Sequence, residues 1–213
     1  MQVQSMHFKA RAQQRLADVR LQANLKKLST KFVAGRANAI LELDDFEATR
    51  DAAAERRERG LAHLDQWLLR FEREATRRGA KVLWAESAAD AARLVVEIAR
   101  RHGVKKAIKS KSMVSEEMSL NSALQAADVQ VVETDLGEYI LQINGNEPPS
   151  HIIAPVVHKD KDEIADLFSR VHARKRKTDI AEMTREAREI LRTHFLQADM
   201  GITGGNFVIA ETG

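Results

Sequence analysis

Two hydrophobic rhythms divide this chain. Between residues 7 and 78 apolar side chains recur at helical spacing, and after Ala80 short apolar runs alternate with helical stretches. Residues 7–29 are rich in Ala, Leu, Gln, Lys and Arg, which favour helix, and Leu16, Val19 and Leu25 with Ala12 and Ala23 give a partial apolar stripe. A shorter helix is expected over Thr30–Leu41. Asp44 or Asp45 can cap the next, which runs from Phe46 to Arg78 with a break near Gly60 and carries Leu61, Leu64, Trp67, Leu68 and Phe71 on one face. Past Ala80, the runs Val82–Trp84, Val104–Ile108, Val129–Val132, Ile152–Ala154 and Phe207–Ala210 read as strands. Helices are predicted from Ser87 to Arg101, closed by Gly103, then over Ser115–Ala127, Asp160–Val171 and from the cap Asp179 to Gln197. Leu136–Ile143 is a short helix or an extended piece, residues 173–178 a basic loop, and Gly201–Asn206 a glycine-rich turn.

Alternating strand and helix predicts an α/β fold, a parallel or mixed sheet flanked by helices. The expected division is an N-terminal helical extension over 1–79 and an α/β domain over 80–213. In such sheets the loops that leave successive strands meet along one edge, where ligands bind. Polar residues gather at those positions in this chain.

Composition narrows the function classes. With 44% hydrophobic residues over 213 positions the chain can bury a core. Lys+Arg 34 against Asp+Glu 31 leaves only +3, short of the excess a dedicated nucleic-acid binder carries. The Arg56/Arg57/Arg59 and Arg73/Arg77/Arg78 blocks, interleaved with glutamates, read as a salt-bridged solvated face or an anion-binding surface. The absence of cysteine removes disulfides and thiolate metal sites from this chain. No apolar run is long enough to span a membrane, and the first twenty residues lack the apolar core of a secretory signal, so a cytoplasmic location is expected.

Three clusters carry candidate chemistry. Lys109 and Lys111 follow an apolar run two residues apart; with Ser112 and Ser115 they either bind a carboxylate or phosphate or are ordinary surface residues. Thr134, Asp135, Gly137 and Glu138 follow the next run. Asp135 suits a helix cap as well as a ligand, and Glu138 is the acid/base candidate, its pKa raised if buried, with Gln142 on the same face. Gly204, Gly205 and Asn206 let backbone N–H groups approach an anion or simply turn the chain; Glu211 is a second candidate base by position, with Thr212 beside it. His151 and His158 bracket Ile152–Val157; at seven residues apart, without a third ligand in a fixed motif, they suit a hydrogen-bonded ligand or structural contact better than a metal, and His158 is the better site residue. No metal site is assigned.

The runs KSKSMVSEEMSLNSAL, TDLGEYILQINGNEPPSHIIAPVVHK and GITGGNFVIAETG together resemble the lactate-utilisation protein B family, iron–sulfur proteins of bacterial L-lactate oxidation, across nearly the whole chain. The resemblance implies a LUD domain with a fold like that of the sugar-phosphate isomerase and CoA-transferase group. It implies electron transfer in the oxidation of L-lactate to pyruvate with partner lactate-utilisation subunits. It also places [4Fe–4S] clusters in a cysteine-bearing half beyond Gly213, the chain reading as truncated there. From the residues, a small-anion pocket is expected near Lys109, Asp135, His158 and Asn206. Two other classes stay open: an isomerase- or transferase-like enzyme acting on a phosphate- or CoA-bearing substrate with Glu138 or Glu211 as base, and a scaffold whose helices over 7–78 dock a partner or a second copy.

Overall fold

In the computed structural model, which describes residues 5–213, the apolar runs Lys106–Lys109 (β1), Gln130–Glu133 (β2) and Met200–Ile202 (β3) form one parallel sheet in the order β2-β1-β3. Ala107 pairs with Val131 and Met200, Ile108 with Val132 and Gly201, and Lys109 with Glu133 and Ile202. Side chains alternate across a strand, so this register sorts the core into two layers. Ala107 and Val131 pack with Ala99, Val104, Leu120, Leu124 and Val129. Val132, with Ile108 against it, packs with Tyr139, Ile140, Leu167, Phe168, Met183 and Leu191. The chain is an α/β protein: a small parallel sheet flanked by helices.

The flanking helices start where the sequence supplies caps. Ser87 accepts from the Asp90 amide to open α5 (Ala88–Arg101), and Asp179 accepts from Glu182 to open α10 (Ile180–Gln197). Asp160 and Glu163 form a reciprocal capping box at α9 (Lys161–His172). Gly103, at φ +64, ends α5 in the left-handed conformation that glycine adopts without penalty. Leu136–Ile143 is helical (α8), opened by Asp135.

The N-terminal helices are α1 (Phe8–Ala17), α2 (Val19–Leu41), α3 (Phe46–Ala62) and α4 (Leu64–Arg77). Asp45, rather than Asp44, caps α3 through the Ala48 amide. The break expected near Gly60 falls at His63, where the backbone leaves helical geometry. The chain forms two compact units: residues up to Leu28 with Ala85–Gly204, and Ser29–Trp84 with Gly205–Gly213. The first holds the sheet and both core layers. In the second, Ala75 is the one buried residue, and the glutamate–arginine pairs Glu74–Arg77 and Glu47–Arg50 lie on solvated faces.

Five sequence expectations are corrected. Val82–Trp84, Ile152–Ala154 and Phe207–Ala210 are not strands, because none finds a partner strand; Leu83, Trp84, Ile152, Ile153, Phe207, Val208 and Ile209 are exposed instead. Ile152–Ala154 is a turn in which His151 Nδ1 accepts from the Ile153 and Ala154 amides, both at 3.1 Å. The helix expected over Ser115–Ala127 begins earlier and is split into α6 (Met113–Glu117) and α7 (Leu120–Gln125), since Ser119 adopts a left-handed φ of 53°. Gly201 belongs to β3, so the glycine-rich turn starts only after Ile202.

Candidate functional site

The parallel register that builds the sheet also sets a charge pair in its core layer. Lys109 and Glu133 are cross-strand partners two residues beyond Ala107 and Val131, and so lie on the same face. Lys109 is fully buried, its Nζ 3.0 Å from Glu133 Oε1 and 3.3 Å from Ser115 Oγ. Asn121 of α7 donates to the same carboxylate at 2.6 Å. Glu133 Oε2 and Asn121 Oδ1 are buried without a partner. Burial pushes the Glu133 carboxyl up, against the opposing pull of Asn121 and Lys109.

A second pair lies beside it. Lys111 Nζ stands 2.6 Å from Glu138 Oε1 in α8; the lysine side chain is 29% exposed and the glutamate 7%. Burial works to raise the pKa of Glu138, but the hydrogen bond from Lys111, with those of Glu116 and the lysine charges, brings it below the ordinary range. The sequence expectation of a raised Glu138 is therefore corrected: the neighbouring ammonium outweighs burial. The raised carboxyl is that of Glu116 in α6, through burial, then the hydrogen bond and charge of Glu138. Burial likewise works against the Lys111 ammonium, yet Glu138, Asp135 and Glu116 raise it.

The loops that leave the three strands converge around these pairs. Ser110 donates its amide to Ile202 O at 2.9 Å, and its hydroxyl stands 3.1 Å from Thr203 Oγ1. Thr134 returns both its amide and its hydroxyl to Lys109 O, at 2.9 and 3.0 Å. Ser112 caps α6 through the Ser115 amide, and Ser115 Oγ donates back to Ser112 O at 2.8 Å. Gly204 lies against Ser112: a Cβ there would stand 3.1 Å from Ser112 Oγ. Gly137 is required for a tighter reason, since its Cβ would stand 2.6 Å from Pro155 Cγ, which seats the 144–159 loop on the first turn of α8.

Other candidates are engaged in holding the frame. Asp135 accepts from the Gly137 and Glu138 amides as the cap of α8. Gln142 accepts from the Glu133 amide at 3.0 Å and donates to Val131 O at 2.9 Å, covering the outer edge of β2 as a neighbouring strand would. His158 Nε2 faces Glu147 Oε1 at 2.9 Å and its Nδ1 faces Ser150 Oγ at 2.7 Å, while Lys159 pairs with Glu147 at 2.7 Å. That serine–histidine–carboxylate chain fastens the loop; the nearby Ile153 and Ala154 amides already donate to His151 and offer no hole for an oxyanion. Gly205, Asn206, Glu211 and Thr212 belong to the second unit, where all four are exposed and Glu211 and Thr212 form the terminal turn.

Glu116, Glu133 and Asn121 are site residues that sequence reading missed. Glu133 was legible as the polar end of an apolar run in phase with Lys109; Glu116 and Asn121 depend on how α6 and α7 fold back. A separate surface depression of about 520 Å³ between Glu42 and Arg56 is wide open and lined by the 42–45 turn and by Ala48, Thr49, Ala52 and Arg56 of α3, without buried chemistry. Among the described residues no group of three or more His, Cys, Asp or Glu side chains is arranged to hold a metal ion. With no cysteine, the chain offers no thiolate for an iron–sulfur cluster, and its donor set does not fit that cofactor. No helix among the described residues is long and apolar enough to cross a membrane.

Comparison with known proteins supports the same frame. Residues 68–213 match the family model described as LUD domain. The chain is 40% identical over all its 213 residues to "Lactate utilization protein B" of Geobacillus kaustophilus, covering 45% of that protein. It is 42% identical over 206 residues, 97% of this chain and 44% of the relative, to the protein of the same name from Exiguobacterium sp.. It is 38% identical over 213 residues to that of Bacillus licheniformis, again covering the whole chain and 45% of the relative. The chain thus spans somewhat less than half the length of these relatives. No solved structure matches it at a significant level. A match that takes in the sheet, the Lys111–Glu138 pair and the loop seated on Gly137 shows that this chain belongs to the LUD domain family.

Proposed function

We propose that this chain serves lactate utilisation as the part of an L-lactate-oxidising electron-transfer protein that binds a small carboxylate, L-lactate or pyruvate, at the carboxyl end of its sheet. The observation that carries the reading is the identity over the full chain with proteins named lactate utilization protein B. The geometry around Lys111 supports this choice of place. Lys111 is the part-exposed ammonium at the strand exits, whereas Lys109 is sealed inside and serves to hold Glu133. Serines 110 and 112 supply neutral polar groups beside it, and the Gly137–Pro155 contact keeps the 144–159 loop against the same helix. The [4Fe–4S] clusters of this reading are held by cysteines outside these 213 residues, and other lactate-utilisation subunits complete the electron path in the cytoplasm. Calorimetric titration of the chain with L-lactate, pyruvate and inorganic phosphate tests the site. A carboxylate binds to the wild type, and Lys111→Ala weakens it at least about tenfold, the ~1.4 kcal/mol of one charge-assisted contact. No binding by the wild type, or equal binding by the variant, refutes the assignment.

A second reading has its own observation. Phe8, Leu16 and Val19 on α1 and α2, which lie in the first unit, are 70%, 71% and 81% exposed. Apolar faces of this kind suit docking to a partner subunit. Co-purification of lactate-utilisation subunits with the chain, abolished by Leu16→Glu with Val19→Glu, combined with no carboxylate binding, selects a scaffold over a binding site.

A further inference from the structure

Two of the three apolar runs that find no strand partner, Val82–Trp84 and Phe207–Ala210, lie in the second unit. Their composition suits strands: Val, Leu and Trp in one, Phe, Val and Ile in the other. The third run, Ile152–Ala154, is committed to its turn, because His151 takes the Ile153 and Ala154 amides. Residues 82–84 and 206–208 carry no such commitment. Among the described residues, none shares a backbone–backbone hydrogen bond with either stretch. Their apolar side chains are open to solvent as well, Trp84 at 56%, Ile209 at 65% and Phe207 at 90%.

Both runs are anchored on the same helix. Trp84 Nε1 donates to Glu72 Oε1 at 3.0 Å. The Ile209–Gly213 turn is closed by the Gly213 amide on Ile209 O at 2.9 Å, and it packs the Gly213 backbone against Glu74 and Ala75. Glu72 and Ala75 are three residues apart on α4 and share a face. Free backbone groups and exposed apolar side chains thus stand together within one turn of α4, an edge able to take a strand. With Ala75 as its only buried residue, the unit gains little from a core of its own, and burial of this edge supplies what it lacks.

The occupant follows from length. More than half of each lactate utilization protein B relative lies outside the match, while the match itself runs through both edge segments. A segment of the same polypeptide meets such an edge at an effective concentration of about millimolar, which a separate second copy of the chain does not reach. A strand meets both demands of the edge: its backbone pairs with the free amides and carbonyls, and its alternate side chains cover the apolar ones.

We infer that residues 82–84 and 206–209 are a docking edge, and that its occupant is a β-strand from the part of lactate utilization protein B that this match does not span. The inference concerns the second unit and is independent of the carboxylate site at Lys111.

Two measurements test it, each made on the 213-residue chain and on the whole Geobacillus kaustophilus protein. The first is hydrogen exchange read by mass spectrometry. The amides of 82–84 and 206–208 exchange in the chain at close to the rate of an open peptide, and the aligned amides of the whole protein exchange at least about a hundredfold more slowly. Fast exchange in both proteins overturns the pairing. Slow exchange already in the chain, whether fixed or rising with concentration as a second copy takes the edge, overturns it too. The second is thermal unfolding of Phe207→Asp with Ile209→Asp. Both side chains are exposed in the chain, so its Tm moves by no more than about 1 °C. The same changes at the aligned positions lower the Tm of the whole protein by at least about 4 °C, since there the edge is covered. Shifts of equal size in the two proteins, large or small, refute the inference.

Discussion

Replacing Lys109 by Met isolates what the buried charge pair contributes. Methionine keeps most of the length and apolar contact of the stem and deletes the ammonium. Glu133 is left 8% exposed, with Asn121 on one oxygen and nothing on the other. Removing one member of a buried pair costs about 3–5 kcal/mol. The loss has a ceiling, because Glu133 can instead take a proton. For a carboxyl of ordinary pKa that costs about 1.36 kcal/mol for each pH unit separating it from the solution, or about 3.7 kcal/mol at pH 7. Burial already pushes the Glu133 carboxyl up, which lowers the ceiling. The expected destabilisation at pH 7 is therefore about 3 kcal/mol, read by urea unfolding followed by circular dichroism, or a fall in Tm of roughly 6–12 °C for a chain of this size. The loss also has a definite pH dependence. With its folded pKa raised above the unfolded value, Glu133 binds more protons in the native state, so its contribution is retained at low pH and lost as pH rises through the folded pKa. Moving from pH 7 to pH 5 restores up to about 2.7 kcal/mol to the variant, two pH units of proton binding. The double variant Lys109→Met with Glu133→Gln recovers most of the loss at pH 7, because no charge is left buried. A single-variant cost below about 1 kcal/mol, a cost unchanged at pH 5, or a double variant as unstable as the single would each refute the reasoning.

Other positions give independent checks. Gln142→Leu strips the outer edge of β2 of both its side-chain partners, the Glu133 amide and Val131 O. It costs about 2 kcal/mol, and the Glu133 amide loses its protection in hydrogen exchange; retained protection would show that Gln142 does not close the edge. Glu186 is buried between His172 Nδ1 at 2.7 Å and Lys177 Nζ at 3.0 Å. Burial works to raise its pKa, yet His172 and Lys177 hold it below the ordinary carboxylate range. Such a group stabilises above its unfolded pKa and loses that stabilisation as pH falls through the folded one. Glu186→Gln therefore costs about 3 kcal/mol at pH 7 and flattens the decline in stability below about pH 5; an unchanged acid limb in urea titrations would refute this.

Local signals carried most of the helical part. Ser87, Asp160 and Asp179 cap helices where serine and aspartate before an apolar periodic run say they should, because a short side-chain acceptor satisfies the first free amides wherever the helix then packs. Two of the strands, β1 and β2, overlap the runs that predict them, each shifted toward its C-terminal end. The strand signal failed at Val82–Trp84, Ile152–Ala154 and Phe207–Ala210, where the same residue types stay outside any sheet. A strand is stable only beside another, and three apolar residues do not say whether a partner exists. At Ser119 the failure ran the other way: nothing in the periodicity marks the left-handed residue that turns one expected helix into two.

The candidate site divides on the same line. Polar residues after β1 and β2, and the glycines after β3, were visible in order along the chain, and parallel strand exits bring such positions together by rule. Which of them are free was not visible. Lys109 and Lys111 look alike in sequence, but register places one wholly inside against Glu133 and leaves the other part-exposed against Glu138. Likewise Gln142 faces the edge of β2 and His158 faces Glu147 and Ser150. The linear sequence determined the α/β class, the caps and the polar character of the strand exits, because these follow from interactions between residues a few positions apart. Only the tertiary structure decided the charge pairing and the enclosure of Glu133 and Glu138, because burial and ion pairing are set by groups far apart in the chain that the fold brings within 3 Å.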